Sequence, residues 1–211
     1  MSGGVFDEAL ERIGRAELVA YPTETLFGLG ADATRDDAVA RLRRWKGRRE
    51  DQPLSLLVED AAGLGTLGIR LSPAALRLAG AFWPGPLTLV LPCQRPLAGG
   101  VARASDGAVG VRCSSHPVAA ELARRLAKAG LGPLTATSLN RSGGPAAATR
   151  EAARALCAGG GPWLLDVPGA PPPEGTRSSV VDATGERPRV LREGAVPRRD
   201  IERCLAGAGR P

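Results

Sequence analysis

Two cations of different shape stand two residues apart in Lys46-Gly47-Arg48-Arg49. An ammonium suits a point contact to a phosphate oxygen, and a guanidinium can grip two oxygens at once. The plain reading is a helix end, where basic residues complement the dipole and glycine closes the last turn. Thr137-Ser138-Leu139-Asn140-Arg141-Ser142-Gly143-Gly144 follows a strand-like run. Hydroxyls, an amide and a glycine-rich turn at a strand's carboxyl end can cradle phosphate or ribose, although the same residues also build ordinary turns. Tyr21-Pro22-Thr23-Glu24-Thr25-Leu26-Phe27-Gly28-Leu29-Gly30 gathers hydroxyls, a carboxylate and glycines behind another strand. Its glycines let a backbone approach a ligand, and the alternative is a strand–turn whose threonines satisfy local backbone groups. Arg112 emerges from apolar Val109-Gly110-Val111, with a strand-end salt bridge as its plain explanation. Arg177-Ser178-Ser179-Val180-Val181-Asp182 and Val190-Leu191-Arg192-Glu193-Gly194-Ala195 complete the set.

Composition sharpens some of these residues and blunts others. The 211-residue chain carries 28 Lys and Arg against 22 Asp and Glu, a net charge of +6. That excess favours anionic partners such as nucleotides or RNA. Yet only Lys46 and Lys128 are lysines, and Asn140 is the sole asparagine. Such a skew suggests a bias that writes Arg for Lys and removes Asn wherever the structure allows. Surface arginines then say little, whereas Lys46 and Asn140 stand out as residues something holds in place.

Several chemistries are excluded. Cys93, Cys113, Cys157 and Cys204 are scattered with no CxxC pair, and His116 is the only histidine, so no local Cys/His zinc site can form. The thiols are expected to be reduced and partly buried. No GxxxxGK[ST] occurs, and Gly28-Leu29-Gly30 lacks the rest of a dinucleotide fingerprint. Ser114, Ser115 and His116 are sequence neighbours before Pro117, where a helix cap is the better reading than a nucleophile and its base. Aromatic residues make up 3% of the chain, too few for a base-stacking surface, and Trp45, Phe82 and Trp83 read as core. No run is long enough to cross a membrane and no export signal is visible, so a cytoplasmic protein is expected.

The elements that must position these residues alternate. Val5, Phe6, Ala9, Leu10 and Ile13 give an amphipathic first helix. Leu18–Tyr21 reads as a strand, and Thr34 as the cap of a helix ending at Lys46. Leu54–Val58, Leu87–Leu91, Ala108–Arg112, Leu134–Thr137, Trp163–Val167, Ser179–Asp182 and Arg189–Leu191 read as strands. Helices are expected from Ser72-Pro73 to about Trp83, from Pro117 to near Gly130, from Thr149 to Leu156 and after Pro197. The alternation predicts an α/β fold, and the closely spaced late strands a mixed sheet.

Five segments in order resemble the YrdC/TsaC family of threonylcarbamoyl-AMP synthases: 21–33, Lys46-Gly47-Arg48 with Pro53-Leu54, Trp83-Pro84-Gly85-Pro86-Leu87-Thr88, 137–143, and Ser178–Asp182 with Leu191-Arg192-Glu193-Gly194. The resemblance runs from about residue 18 to 196 and implies one domain over 1–211, a twisted mixed sheet with flanking helices around a basic cleft. It implies an enzyme that joins L-threonine, bicarbonate or CO2, and ATP into threonylcarbamoyl-AMP and pyrophosphate, for the threonylcarbamoyladenosine modification of tRNA. It gives Lys46 and Arg48 the catalytic and phosphate-binding roles, and Ser138, Asn140, Ser178 and Arg192 further nucleotide contacts. Thr23, Arg112 and Thr137 become threonine contacts. Mg²⁺ would enter with ATP, with no metal held by the protein itself. Downstream threonylcarbamoyl-transfer proteins and weak tRNA binding are the implied partners, and no further domain is expected after this one. Phe27, Arg49, Leu139 and Cys113-Ser114-Ser115 depart from the family pattern, as does the lack of a histidine near the end of the 53–58 strand. These departures bear on amino-acid selection. The competing readings are a non-catalytic RNA-binding module and a paralogue making a different carbamoyl adenylate. Residues 171–177, placed just before Ser178, are the expected lid.

Overall fold

The computed structural model describes residues 3–49, 51–102 and 105–207. One nine-stranded sheet organises them, in the order β7-β1-β2-β6-β3-β5-β4-β8-β9. Its strands are β1 (Val19–Pro22), β2 (Phe27–Gly30), β3 (Ser55–Val58), β4 (Leu87–Leu91), β5 (Val109–Cys113), β6 (Leu134–Ser138), β7 (Trp163–Leu164), β8 (Ser179–Asp182) and β9 (Arg189–Arg192). The pairs β1–β7, β3–β5 and β4–β8 are parallel and the rest antiparallel, so the sheet is mixed as expected. Six helices flank it: α1 (Gly3–Gly14), α2 (Asp36–Lys46), α3 (Pro73–Phe82), α4 (Pro117–Lys128), α5 (Arg150–Cys157) and α6 (Arg198–Leu205).

Strand alternation divides the core. Ala20, Leu29, Leu56, Val58, Leu89 and Val111 enter the larger apolar cluster, shared with α2, α3 and α6. Val19, Tyr21, Leu57 and Leu134 join the smaller cluster, shared with α1 and α4. Successive side chains of one strand thus feed opposite faces. On the face of the smaller cluster, one transverse row crosses five strands. Leu57 pairs with Arg112, Arg112 with Thr88, Thr88 with Val180, and Val180 with Arg192.

Several helix starts follow the local chemistry read from the sequence. Ser72 caps α3, Thr149 caps α5, and His116 caps α4 through its ring, which accepts from the Val118 N–H at 3.2 Å. Two expectations are corrected. Thr34 does not cap α2: its hydroxyl donates to Asp32 at 2.6 Å, and Arg35 occupies the cap position without a side-chain capping bond. The first-turn carboxylates Asp36 and Asp37 are left to favour the exposed N–H groups. Phe27–Gly30, not among the expected strands, is a full strand that forms a hairpin with β1. Tyr21 faces Gly28 across that hairpin, and a Cβ on Gly28 would come within 2.8 Å of the tyrosine ring. The strand expected over Trp163–Val167 pairs only over its first two residues, with one further bond from Leu165 N–H to the Ala20 carbonyl at 2.8 Å. A 3-10 turn over Ala62–Leu67 had no signal in the sequence. The four cysteines are free, with Cys113 buried.

Candidate functional site

The transverse row forms the floor of a cavity of about 360 Å³, within the range of small-molecule sites. Its walls bring together all nine residues singled out in the sequence, from Thr23 to Arg192. Lys46 and Arg48 arrive from the end of α2. Thr137, Ser138 and Asn140 come from the end of β6, Arg112 from β5, Ser178 from the entry to β8 and Arg192 from the end of β9.

Gly47 turns the chain out of α2 in the left-handed conformation, with φ of 68°, and so delivers Arg48. The Ser142 N–H donates to the Lys46 carbonyl at 2.6 Å, clamping the 138–144 loop onto that helix end. Lys46 is buried. Its three ammonium donors meet three oxygens: the Ser138 carbonyl at 2.5 Å, the Asn140 carbonyl at 3.1 Å and Asn140 Oδ1 at 2.6 Å. Ser138 Oγ donates to the same Oδ1 at 2.7 Å, and Asn140 Nδ2 donates to the Arg141 and Gly144 carbonyls. The lone asparagine and one of two lysines are therefore direct partners. Asparagine supplies acceptor and donors from one short side chain, and lysine converges three donors on a point, which a planar guanidinium cannot do.

Charge is one-sided on this wall. Lys46, Arg48, Arg112, Arg177 and Arg192 line the cavity, and no aspartate or glutamate does. Burial, reinforced by Arg48 and Arg177, lowers the Lys46 ammonium to about 8. Burial also lowers Arg192, with help from Arg177 and Arg112, and lowers Arg48, with help from Arg43. Arg48 is steadied by the Pro53 carbonyl at 2.7 Å. Arg192 is steadied by the Ser178 carbonyl at 2.9 Å and Ser178 Oγ at 3.2 Å.

Arg112 carries the salt bridge its plain reading foresaw, and more. It pairs with Glu24 at 3.1 Å in a mostly buried contact and donates to Thr25 Oγ1 at 2.7 Å. Thr23 Oγ1 lies 3.4 Å away. Glu24 also accepts from Ser114 Oγ. This carboxylate, which sequence reasoning passed over, sits behind Arg112 rather than on the cavity wall, and fixes the direction of the guanidinium. His116 stays outside the site, its Nε2 facing the Pro171 carbonyl at 3.0 Å. Burial lowers its pKa. The 171–177 segment lies against the 23–25 loop, where Glu174 and Gly175 N–H groups donate to the Glu24 and Thr25 carbonyls at 2.9 and 2.8 Å. Trp45 packs against the core as expected, and the Arg141 guanidinium stacks over it at 4.3 Å.

Residues 11–194 match the Sua5/YciO/YrdC family model, which is described as telomere recombination. The chain belongs to that family. Relatives within and around it agree. A Mycobacterium tuberculosis protein is 37% identical over 197 residues, covering 93% of this chain and 87% of the relative. A Bacillus subtilis protein named threonylcarbamoyl-AMP synthase is 36% identical over 90% of this chain and 53% of its own length. The crystal structure of Pyrococcus abyssi Sua5 complexed with L-threonine superposes with a TM-score of 0.85 at 32% identity, covering 97% of this chain. This Sua5/YciO/YrdC chain spans 58% of that structure's length. Escherichia coli YciO, at 21% identity and a TM-score of 0.77, shares the fold.

Proposed function

We propose that this protein is a threonylcarbamoyl-AMP synthase. The observation that carries the reading is the cavity itself: five cations, an amide and several hydroxyls around one space, with no carboxylate on its wall. The substrates of such a reaction are anions that repel one another, and a wall of fixed cations lowers that repulsion. The names of the relatives and the threonine complex of the Pyrococcus abyssi protein support the same assignment.

In this reading the threonine amine combines with bicarbonate or CO2 to give a carbamate. A carbamate oxygen forms a bond to the α-phosphorus of ATP as the bond to pyrophosphate breaks. Arg112, held by Glu24 and Thr25, presents a fork for the threonine carboxylate, with Thr23 and Thr137 beside it. Lys46 and Arg48 face the phosphates, and Ser138, Asn140, Ser178 and Arg192 bind the nucleotide. Lys46 must exchange one of its three protein acceptors for a phosphate oxygen. Hydroxyls and carbonyls line the cavity but no carboxylate does, so the residues fit a Mg²⁺ that arrives on the triphosphate and neutralises charge there. Among the described residues no cluster of acidic, histidine or cysteine side chains could hold a metal unaided.

The product would serve the threonylcarbamoyladenosine modification of tRNA, through downstream transfer proteins, with weak direct binding of tRNA consistent with the net positive charge. One domain spanning 1–211 and a cytoplasmic location belong to the same reading. No helix among the described residues is long and apolar enough to cross a membrane. Residues 171–177 serve as the lid, resting here against the 23–25 loop with Arg177 anchored at its base, and unchanged protease sensitivity on adding ATP and threonine would count against that.

The test is mass spectrometry of a short incubation with ATP, Mg²⁺, bicarbonate and single amino acids. Threonylcarbamoyl-AMP with matching pyrophosphate, with threonine only, is the expected result. ATP binding without that product would favour a paralogue making another carbamoyl adenylate, and no ATP binding would favour the RNA-binding module.

A further inference from the structure

Arg177 lines the cavity beside the nine residues discussed above, yet it was not among them. Its side chain is exposed and makes no hydrogen bond or ion pair among the described residues. The other four cations of the wall are each tied to protein oxygens: Lys46 to the 138–140 loop, Arg48 to Pro53, Arg112 to Glu24 and Thr25, Arg192 to Ser178. Arg177 alone among the five keeps all its donors available.

Its backbone, by contrast, is well fixed. The Arg177 carbonyl accepts from the Ala195 N–H at 2.8 Å. Gly194 lies so close that a Cβ there would overlap the same carbonyl and the backbone of Ser178. Two residues upstream, Gly175 is bonded to the Thr25 carbonyl. A free guanidinium on a held base is the arrangement expected of a ligand-binding arginine. Its charge is felt by Lys46 on one side and by Arg192 on the other. It thus joins the phosphate-facing lysine to the nucleotide-facing arginine, in an arc that runs from Arg48 through Lys46, Arg177 and Arg192 to Arg112.

We infer that Arg177 is a substrate-binding residue that grips the β- and γ-phosphates of ATP, and the pyrophosphate they become, at the mouth of the cavity. This rests on the adenylating function proposed above. A phosphate on this wall would meet a guanidinium whose donors are not spent on protein oxygens, and the planar fork of Arg177 matches two phosphate oxygens.

Equilibrium binding of ATP and AMP to the full chain tests this, with pyrophosphate as a competitor. Arg177→Gln should weaken ATP and pyrophosphate about tenfold, the usual scale of one charge-assisted contact, while AMP changes less than about twofold. Arg177→Lys should recover part of the loss. An equal loss for AMP and ATP, or no loss for either, would overturn the inference while the adenylating reading stands. Failure of the unaltered protein to bind ATP would overturn both.

Discussion

Replacing Lys46 by arginine keeps the charge and follows the chain's own habit, since 26 of its 28 basic residues are already arginine. The structure nevertheless predicts that Lys46→Arg is damaging. Three oxygens converge on Nζ within 3.1 Å. A guanidinium spreads its donors across a plane and can reach one or two of them, so at least one buried acceptor loses its donor, at about 1–3 kcal/mol. Fitting the larger head against the 138–140 loop, whose Leu139 and Asn140 are buried, adds about 1 kcal/mol or more of overpacking. The sum is about 3 kcal/mol. For a chain of this size that lowers the melting temperature by roughly 6–12 °C, at 2–4 °C per kcal/mol. Differential scanning calorimetry reads this directly, and titration with ATP should show an affinity reduced on the order of tenfold because the displaced loop carries Ser138 and Asn140. A melting temperature within about 2 °C of the parent, with unchanged ATP binding, would refute the claim that three-point convergence is what keeps a lysine here.

Four further outcomes follow from the same geometry. The Lys46 ammonium titrates at about 8, so ATP affinity should fall as pH rises through that value; a flat binding profile between about pH 7 and about pH 9.5 would contradict the role given to its charge. In the unfolded chain lysine holds its proton to about 10.4, so between about 8 and about 10 the unfolded state binds more protons and stability should rise with pH. Lys46→Met should remove that slope in chemical denaturation. Arg112→Lys should raise the threonine KM about tenfold and leave the ATP KM within about twofold, because the fork for a carboxylate is lost but the charge beside Glu24 is kept. Gly194→Ala should push the Arg177–Ser178 backbone aside, cost about 2 kcal/mol by steric overlap and weaken ATP binding, seen as a melting temperature lower by about 4–8 °C.

Much of the fold was legible because its signals are local. Ser72-Pro73, Pro117, Thr149 and Gly47 mark helix ends by chemistry that acts within a few residues, and the structure has helix ends at each. The second hairpin strand was not legible: Phe27-Gly28-Leu29-Gly30 has no β-branched residue, and it is a strand because Tyr21 and Leu134 fill the space its glycines leave. Thr34 looked like a cap until Asp32, closer in space, took its hydroxyl. In the site, compositional rarity picked out Lys46 and Asn140, and the two turn out to be bonded. The same skew hid Arg177, one arginine among 26. Glu24 was hidden differently. Its partner Arg112 lies 88 positions along the chain, and no spacing rule links them.

The order of strands across the sheet carries a consequence for the making of the protein. The cavity floor joins β3, β5, β4, β8 and β9, so its last piece, Arg192, is synthesised only after the other four strands. At about 5–20 residues per second, about 7–27 s separate the synthesis of Ser55 from that of Arg192, and the binding surface is incomplete throughout. Until then β4 offers an unpaired edge where β8 will dock parallel to it. A nascent chain that stops before β8 therefore lacks Ser178 and Arg192 of the cavity wall and keeps the β4 edge open to self-association.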